Sequence, residues 1–274
     1  MALTDQTFLQ LITRLAHELN DGMTLAATTN GSTTTFVDAV NVNASRESYD
    51  GWEWFGTSSP NSDVIATVTG TSGSTITISP AVSSTTTGST ALLVNKRGRG
   101  FRIQDYKRAI NNAIQDFSGA ALIPTVATIS PVFSAADGYL SIPADLAEAY
   151  RIEYQNSEGR WREVRRAFPA GGDGWTAEAA NAVLRIEGDP GLMADGYSVR
   201  IFGYKRQAQL SALTDTCSLD AGGVIARAAY LLCRSALDRD PRFAQMAILY
   251  RQDSEEAMNR PRTLRAPGTV AVRY

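Results

Sequence analysis

The chain has 274 residues, of which 43% are hydrophobic and 20% are charged, and its formal net charge is −2. This length and balance are typical of a globular protein with ample material for a core, and they exclude a disordered chain. The near-neutral charge argues against a general nucleic-acid-binding protein, which is usually basic.

The cysteines and the apolar runs exclude further classes. Cys217 and Cys233 are the only cysteines and form no CxxC motif, so neither a disulfide framework nor a zinc site is predicted. The N-terminus lacks the basic start and apolar run of a signal peptide, and no window of eighteen apolar residues predicts a membrane span. We therefore expect a soluble protein made in a cytoplasm, without a cofactor and without a membrane partner.

The first predicted element is a helix that Thr4 and Asp5 cap and that runs to about Leu19. His17, the only histidine of the chain, falls on the side of this helix opposite the apolar stripe. A solvated surface histidine is expected there, which argues against a Ser-His-Asp triad. The apolar stripe consists of Phe8, Leu11, Ile12, Leu15 and Leu19.

A Thr/Ser-rich β region follows, in which Asp63 is the only charged residue between Gly56 and Val94. Alternating apolar residues at Val64–Val68 and Ile76–Ile78 predict a hairpin. The remaining signals are strands at Thr35–Val42 and Trp52–Phe55, with a turn at Asp50-Gly51. They predict a small β-barrel or sandwich inserted between two helices.

The aromatic residues Tyr49, Trp52, Trp54 and Phe55 admit two interpretations. They are typical of the core of a small sheet that has few other large side chains, which is the favoured interpretation. The alternative is a sugar-stacking platform, which would make the chain a carbohydrate-binding or adhesin module.

The most clearly patterned helix is Ile103–Phe117, which we expect to organise the fold. A basic link at Lys96–Arg102 precedes it and is interpreted as a solvated linker, or one that faces an acidic neighbour, in preference to a nucleic-acid contact. Its glycines lack the flanking strand and the spacing of a phosphate-binding loop. One face of the helix is polar and the other is apolar. The apolar face consists of Ile103, Tyr106, Ile110, Ala113, Ile114 and Phe117.

A second β region is predicted from residue 124 to residue 206. Apolar and charged residues alternate at Tyr150–Tyr154, Leu184–Ile186 and Tyr197–Ile201, so each segment predicts a strand with one buried face. Turn residues at Asn156–Gly159 separate two of these strands.

The C-terminal part predicts two helices and an extended tail. Asp220 caps the first helix, whose Cys233 is expected to be buried, and Asp240-Pro241 begins the second. The tail from Arg260 contains four arginines and no acid, and its prolines exclude a helix.

The predicted fold class is therefore α+β. The predicted domains are a helical bundle core (1–21, 96–123 and 207–260), an inserted β domain (22–95), a second antiparallel β region (124–206) and an extended docking tail (261–274). An enzyme acting with paired carboxylates is a further alternative, but the acids are scattered and no pair stands out.

Three segments resemble the head-to-tail adaptor, or head completion, proteins of tailed bacteriophages. The first is YLSIPADLAEAYRIEY…GRWREVRR at Tyr139–Arg166, with an aliphatic-Pro-x-Asp-aliphatic start and a strand hairpin. The second is the β segment Tyr49–Val82. The third is Ala226–Tyr274, where the helix ARAAYLLC is followed by an Asp-Pro restart and a long tail. Their order along the chain carries the resemblance.

The resemblance implies a structural virion protein rather than an enzyme. It implies a homo-oligomeric ring, usually of twelve copies, beneath the portal protein, joined to the next neck or tail protein and passing genomic double-stranded DNA through its lumen. It places the protein in the virion neck, assembled in the host cytoplasm. The tail residues expected to dock onto the portal are Arg262, Arg265, Thr269, Val270, Val272, Arg273 and Tyr274.

Overall fold

A computed structural model describes residues 5–95, 99–118, 123–129, 139–141, 146–164, 174–178, 183–187 and 198–259. These residues contain four helices and fifteen strands, and every strand pair is antiparallel. The predicted α+β class is thus confirmed. Two compact units are present: one holds the described parts of Met1–Phe117 and Ala208–Arg260, and the other those of Ser118–Gln207.

The bounds of the elements are as follows. The helices are α1 (Phe8–Glu18), α2 (Ile103–Ser118), α3 (Ala221–Ser235) and α4 (Pro241–Asn259). The strands are β1 (Gln6–Thr7), β2 (Met23–Ala26), β3 (Thr35–Val37), β4 (Glu53–Gly56), β5 (Ile65–Ser72), β6 (Thr75–Ser79), β7 (Thr90–Val94), β8 (Ile123–Ile129), β9 (Tyr139–Ser141), β10 (Leu146–Gln155), β11 (Trp161–Val164), β12 (Gly174–Glu178), β13 (Val183–Glu187), β14 (Val199–Lys205) and β15 (Thr216–Cys217).

The helix α1 begins at Phe8, and the predicted caps Thr4 and Asp5 were wrong. Thr7 is the N-cap, and its side chain accepts a hydrogen bond from the backbone N–H of Gln10 while the Gln10 side chain accepts from Thr7 N–H. This reciprocal capping box satisfies two backbone donors at the start of the helix. The predicted apolar stripe is buried and His17 is exposed, as expected.

The helix α2 packs into the first unit along its whole apolar face. All six residues of its predicted apolar face are fully buried, and the helix covers the predicted range with one further residue. Its Asn111 also holds the returning chain: Asn111 Nδ2 donates to Leu210 O at 2.9 Å, and Leu210 N donates to Asn111 Oδ1 at 2.8 Å. We refer to this pair of bonds as the Asn111 clamp.

The helices α3 and α4 pack against each other, and each begins after the aspartate that the sequence predicts as its cap. Asp220 accepts from Gly222 N–H at 3.1 Å, and Asp240 accepts from Arg242 N–H at 2.9 Å. The buried face of α3 includes Cys233, whose thiol pKa burial raises to about 12. Gly223 is in close contact with the other helices, since a Cβ built on it would lie 2.9 Å from both Ala257 Cβ and Phe117 Cζ.

The β region before α2 is one six-stranded sheet of order β2-β7-β4-β5-β6-β3. The predicted hairpin is β5–β6, although the strands reach closer to the turn than expected and leave only Gly73 and Ser74 between them. Just beyond the end of β2, Thr28 N–H donates to Val37 O of β3 at 2.9 Å, so the chain that leaves one end strand is bonded to the other end strand. Asp38, just after β3, is fully buried and accepts from Ala26 N–H at 2.9 Å.

The central strands of this sheet are buried on both faces. Trp54 and Leu93 belong to the main core of the sheet, whereas their neighbours Phe55 and Leu92 are buried on the opposite face, as strand alternation requires. Lys107 of α2 lies over the Phe55 ring at 5.5 Å from its centre, so α2 contacts that second face. The prediction that residues 22–95 form a separate inserted domain stays a prediction.

The second unit contains two antiparallel sheets. One has the order β11-β10-β14-β8 and the other the order β12-β13-β9. The predicted strand at Tyr150–Tyr154 lies within β10, and the predicted turn before β11 contains Gly159 with φ of +77°, a left-handed conformation that favours glycine. Together these sheets confirm an antiparallel β region after α2.

Candidate interaction surfaces

The single histidine of the chain lies on the surface of α1. Its Nε2 lies 3.0 Å from Thr24 Oγ1, so His17 is bonded to a hydroxyl of the neighbouring strand β2. Within the described ranges, no group of three or more His, Cys, Asp and Glu residues is placed to hold a metal ion. No helix of that part of the chain is long and apolar enough to cross a membrane.

The aromatic cluster is a core and not a platform. Tyr49, Trp52 and Trp54 are each less than 5% exposed, and they pack with Phe36 and the aliphatic residues of the six-stranded sheet. A sugar stacks on an exposed ring face, which buried rings cannot offer. The favoured interpretation of the cluster is confirmed, and the carbohydrate-binding alternative is wrong for these residues.

A buried polar network fixes the chain between α1 and α2. Asp21 accepts a 2.7 Å hydrogen bond from Phe101 N–H and a 2.6 Å bond from the hydroxyl of Tyr106. Burial, and then the charge of Asp21, raise the pKa of Tyr106 well above its usual value, so the phenol remains a donor. Gly100 lies against this carboxylate so closely that a Cβ would meet it at 1.8 Å. The network positions the start of α2.

The link between the sheet and α2 is also polar. Glu53 of β4 accepts a 2.8 Å hydrogen bond from Ile103 N–H, one of the backbone donors that a helix leaves unpaired at its first turn. The pKa of Glu53 is raised, because burial disfavours the charged carboxylate. The hydrogen bond from Ile103 N–H acts in the opposite direction but has the smaller effect. Lys107 forms an ion pair with Asp63 at 2.5 Å one turn further along.

One groove of the first unit is acidic. It has a volume of about 300 Å³ and lies between α1, the N-terminal end of α3, and α4. Four acids and one arginine line it, and Arg14 is paired with Glu18 at 3.9 Å. We call this the acidic groove; its charged residues are Arg14, Glu18, Asp220, Asp253 and Glu256.

A second groove of the same unit is basic. It has a volume of about 160 Å³ and lies between α2 and the C-terminal half of α3. Two exposed arginines and one acid line it, and Arg239 Nη1 also donates to Gly100 O at 3.4 Å. We call this the basic groove; its charged residues are Asp105, Arg108 and Arg239.

Two adjacent apolar side chains of α4 face solvent. Ile248 is 70% exposed and Leu249 is 62% exposed, although Phe243 and Ala247 on the same helix are buried. Contiguous apolar surface that is exposed to solvent is typical of a protein–protein contact. The sequence pattern of α4 did not separate these two residues from its core positions.

The first sheet of the second unit carries an arginine–aromatic cluster. The Arg200 guanidinium lies 4.2 Å from the centre of the Trp161 ring, and the Arg151 guanidinium lies 4.0 Å from that of Phe202. Both arginines also form ion pairs with the buried carboxylate of Glu153. Arginine and tryptophan dominate interaction hot spots, so this cluster is a further candidate surface.

The predicted docking residues of the tail lie outside the described residues. This applies to Arg262, Arg265, Thr269, Val270, Val272, Arg273 and Tyr274. Sequence patterning also missed both grooves, because each combines residues that are distant in the chain. No local signal marks Asp253 and Asp220, or Arg108 and Arg239, as neighbours of one groove.

A family model described as SU10 adaptor protein matches residues 87–273, which is more than half of the chain and includes α2, α3 and α4. A search of curated proteins found no match. The match confirms the resemblance to phage adaptors that the sequence shows. The chain therefore belongs to the SU10 adaptor protein family, a family of structural phage proteins rather than enzymes.

Proposed function

We propose that this protein is the head-to-tail adaptor of a tailed phage, located in the virion neck. In this proposal it forms a ring beneath the portal, extends the DNA channel, and joins the portal to the next neck or tail component. The observation that carries the proposal is the family match over residues 87–273, which spans three of the four described helices and all strands from β7 onward.

The helices and sheets supply the parts that such an adaptor needs. The buried faces of α1, α2, α3 and α4 fit the predicted bundle core. The six-stranded sheet fits the predicted small barrel, because Thr28, just after β2, is bonded to Val37 of β3 at the other end of the sheet. The copy number that we propose is twelve, as the resemblance implies. Lateral contacts in such a ring need exposed complementary surfaces, which the first unit offers.

The charge of the chain suits the passage of DNA. A strongly basic channel would bind phosphates by counterion release and would slow the double-stranded genome. The chain carries 26 basic and 28 acidic residues, so no large excess of positive charge is available to retain DNA. Contact with the genome in this proposal is non-specific.

The proposed anchor to the portal is the C-terminal tail. Thr269, Val270 and Val272 have the composition of a strand, and Tyr274 adds an amphipathic aromatic end. Added to a free sheet edge of the portal, such a strand would satisfy its own backbone groups, and Arg262, Arg265 and Arg273 would pair with acids there.

The test is assembly with the cognate portal. Mass photometry and electron microscopy of the purified chain, alone and with portal rings, measure the species formed. We expect ring-sized species on the portal in the mixture and mainly monomers in the chain alone. A mixture that contains only free portal and free monomer contradicts the proposal, as does binding to a glycan array that the portal does not affect.

A further inference from the structure

We propose that neighbouring copies associate head to tail, with the acidic groove of one copy facing the basic groove of the next. The inference rests on the proposed ring and names the two surfaces that would build it. Both grooves belong to the first unit and are formed only by described residues. The occupant of each groove is a second copy of this chain.

The first argument is the opposite charge of the grooves. The acidic groove has four acids against one arginine, a net charge of −3. The basic groove has two arginines against one acid, a net charge of +1, and the carboxylate of that acid, Asp105, already accepts Arg102 N–H at 3.1 Å. Facing patches of opposite sign select and orient partners, whereas two copies of the same groove would repel each other.

The second argument is the position of the grooves on α3. Gly222 lines the acidic groove and Leu231 lines the basic groove. They are nine residues apart, which at about 100° per residue places them on opposite sides of the helix and about 13 Å apart along its axis. Two different complementary surfaces on opposite sides of a subunit give a heterologous contact, and such contacts generate rings when the rotation closes.

The third argument is the apolar residue beside the acidic groove. Leu249, Asp253 and Glu256 are spaced by four and three residues, so they form one stripe along α4. The exposed side chain of Leu249 therefore lies on the same side of α4 as two acids of the groove, where a neighbouring copy would bury it. On the other groove, the half-buried Leu231 offers an apolar counterpart. Apolar burial bordered by charges is the usual anatomy of a stable interface.

The experiment reverses the charges of each groove separately. One variant carries Asp253→Arg and Glu256→Arg, and the other carries Arg108→Glu and Arg239→Glu; all four side chains belong to exposed residues. With wild-type portal, each variant alone should lose ring species by about tenfold or more, because like charges then face each other. A 1:1 mixture of the two variants should restore rings, since copies of the two variants that alternate around the ring join opposite charges at every contact.

Restoration by mixing separates a groove contact from a folding defect, because two misfolded variants do not rescue each other. The matched controls are Glu255→Arg on α4 and Arg234→Glu on α3, which reverse exposed charges outside both grooves and should leave rings intact. Variants that form rings as well as the wild type, a mixture that restores none, or controls that abolish rings equally would overturn the inference while the proposed function stands. A wild-type chain that forms no ring with portal overturns both.

Discussion

The hydroxyl of Tyr106 and the carboxylate of Asp21 form a 2.6 Å hydrogen bond in the interior of the first unit. Through this bond the central helix α2 is fixed to the chain that leaves α1. The same carboxylate accepts a hydrogen bond from Phe101 N–H, so one buried acid holds both α2 and the residues that lead into it.

We predict that Tyr106→Phe destabilises the protein by about 1–3 kcal/mol, because it removes a hydrogen bond to a buried carboxylate without removing the ring. Thermal or urea unfolding measures the loss. The control is Tyr250→Phe, whose hydroxyl donates a longer 3.2 Å bond to Glu18 O at a half-buried position and should matter less. Equal losses of stability in the two variants would contradict the expectation that the buried Tyr106–Asp21 bond contributes more than the Tyr250–Glu18 bond.

Adjacent glycines of α3 should respond in opposite directions to alanine. Gly223→Ala places a Cβ 2.9 Å from Ala257 and from Phe117, and must push helices apart, so we expect destabilisation. Gly222→Ala meets only Asp220 Oδ1 at 3.4 Å and should stabilise by up to about 1 kcal/mol through helix propensity. Equilibrium unfolding of both variants gives the comparison; a neutral Gly223→Ala would contradict the close packing of these helices.

Glu53 should make stability depend on pH. Its pKa in the folded protein is raised above the ordinary value of 4.5 because burial disfavours the charged form. The native state therefore holds a proton more tightly than the unfolded chain, and this group's contribution to stability falls as pH rises from 4.5 through the raised pKa.

Glu53→Gln removes that dependence and retains an oxygen to accept Ile103 N–H. Urea unfolding from pH 3.5 to pH 7 should show the variant gaining stability relative to the wild type as pH rises, with no further gain above the raised pKa. The exposed Glu255→Gln serves as the control. A constant difference across the range would show that Glu53 titrates normally.

Both cysteines should be unreactive in the native protein. Cys217 and Cys233 are buried and unbonded, and burial raises the thiol pKa of both, to about 12 for Cys233. Thiolate is the reactive form, so a colorimetric disulfide reagent at pH 8 should label neither in the folded state and both in guanidinium. Rapid labelling of Cys233 before unfolding would show that the packing of α3 against α4 opens readily.

Deletion of residues 262–274 tests the proposed anchor. Termini add little to the stability of a folded core, so we expect an almost unchanged melting temperature together with the loss of attachment to portal-bearing heads. Ordering about a dozen residues costs on the order of 10–20 kcal/mol of backbone entropy, so many strand pairings must form together. A truncated protein that still completes heads would move the docking surface to the helices.

Several elements could be predicted because their signals are local. The spacing of apolar residues along α2 reflects the helical repeat, and the Asp220 and Asp240 caps act within two residues of their own position. The cap of α1 was misplaced because Thr4, Asp5 and Thr7 are all acceptable caps, and only Thr7 has a Gln three residues later to complete the box.

Long-range contacts could not be predicted in the same way. The β2 and β7 strands pair across more than sixty residues, and neither carries an alternation that stands out in the sequence. Glu53 of β4 accepts a hydrogen bond from the first residue of α2, and Asp21 accepts one from Tyr106. Both acids are fifty or more residues away from these partners in the sequence. The grooves arise from the same kind of long-range packing, so the candidate interface was visible only in three dimensions.

The Asn111 clamp has a consequence for how such chains can diversify. The side-chain amide of Asn111 binds both backbone groups of Leu210, which lies ninety-nine residues further along the chain. The polypeptide that leaves the end of α2 is therefore bonded to the same helix when it returns. The entropy of closing a loop grows only slowly with its length. We therefore expect evolution to lengthen, shorten or exchange the intervening segment while the helical framework is inherited unchanged, so that one phage assembly platform can carry different attachments.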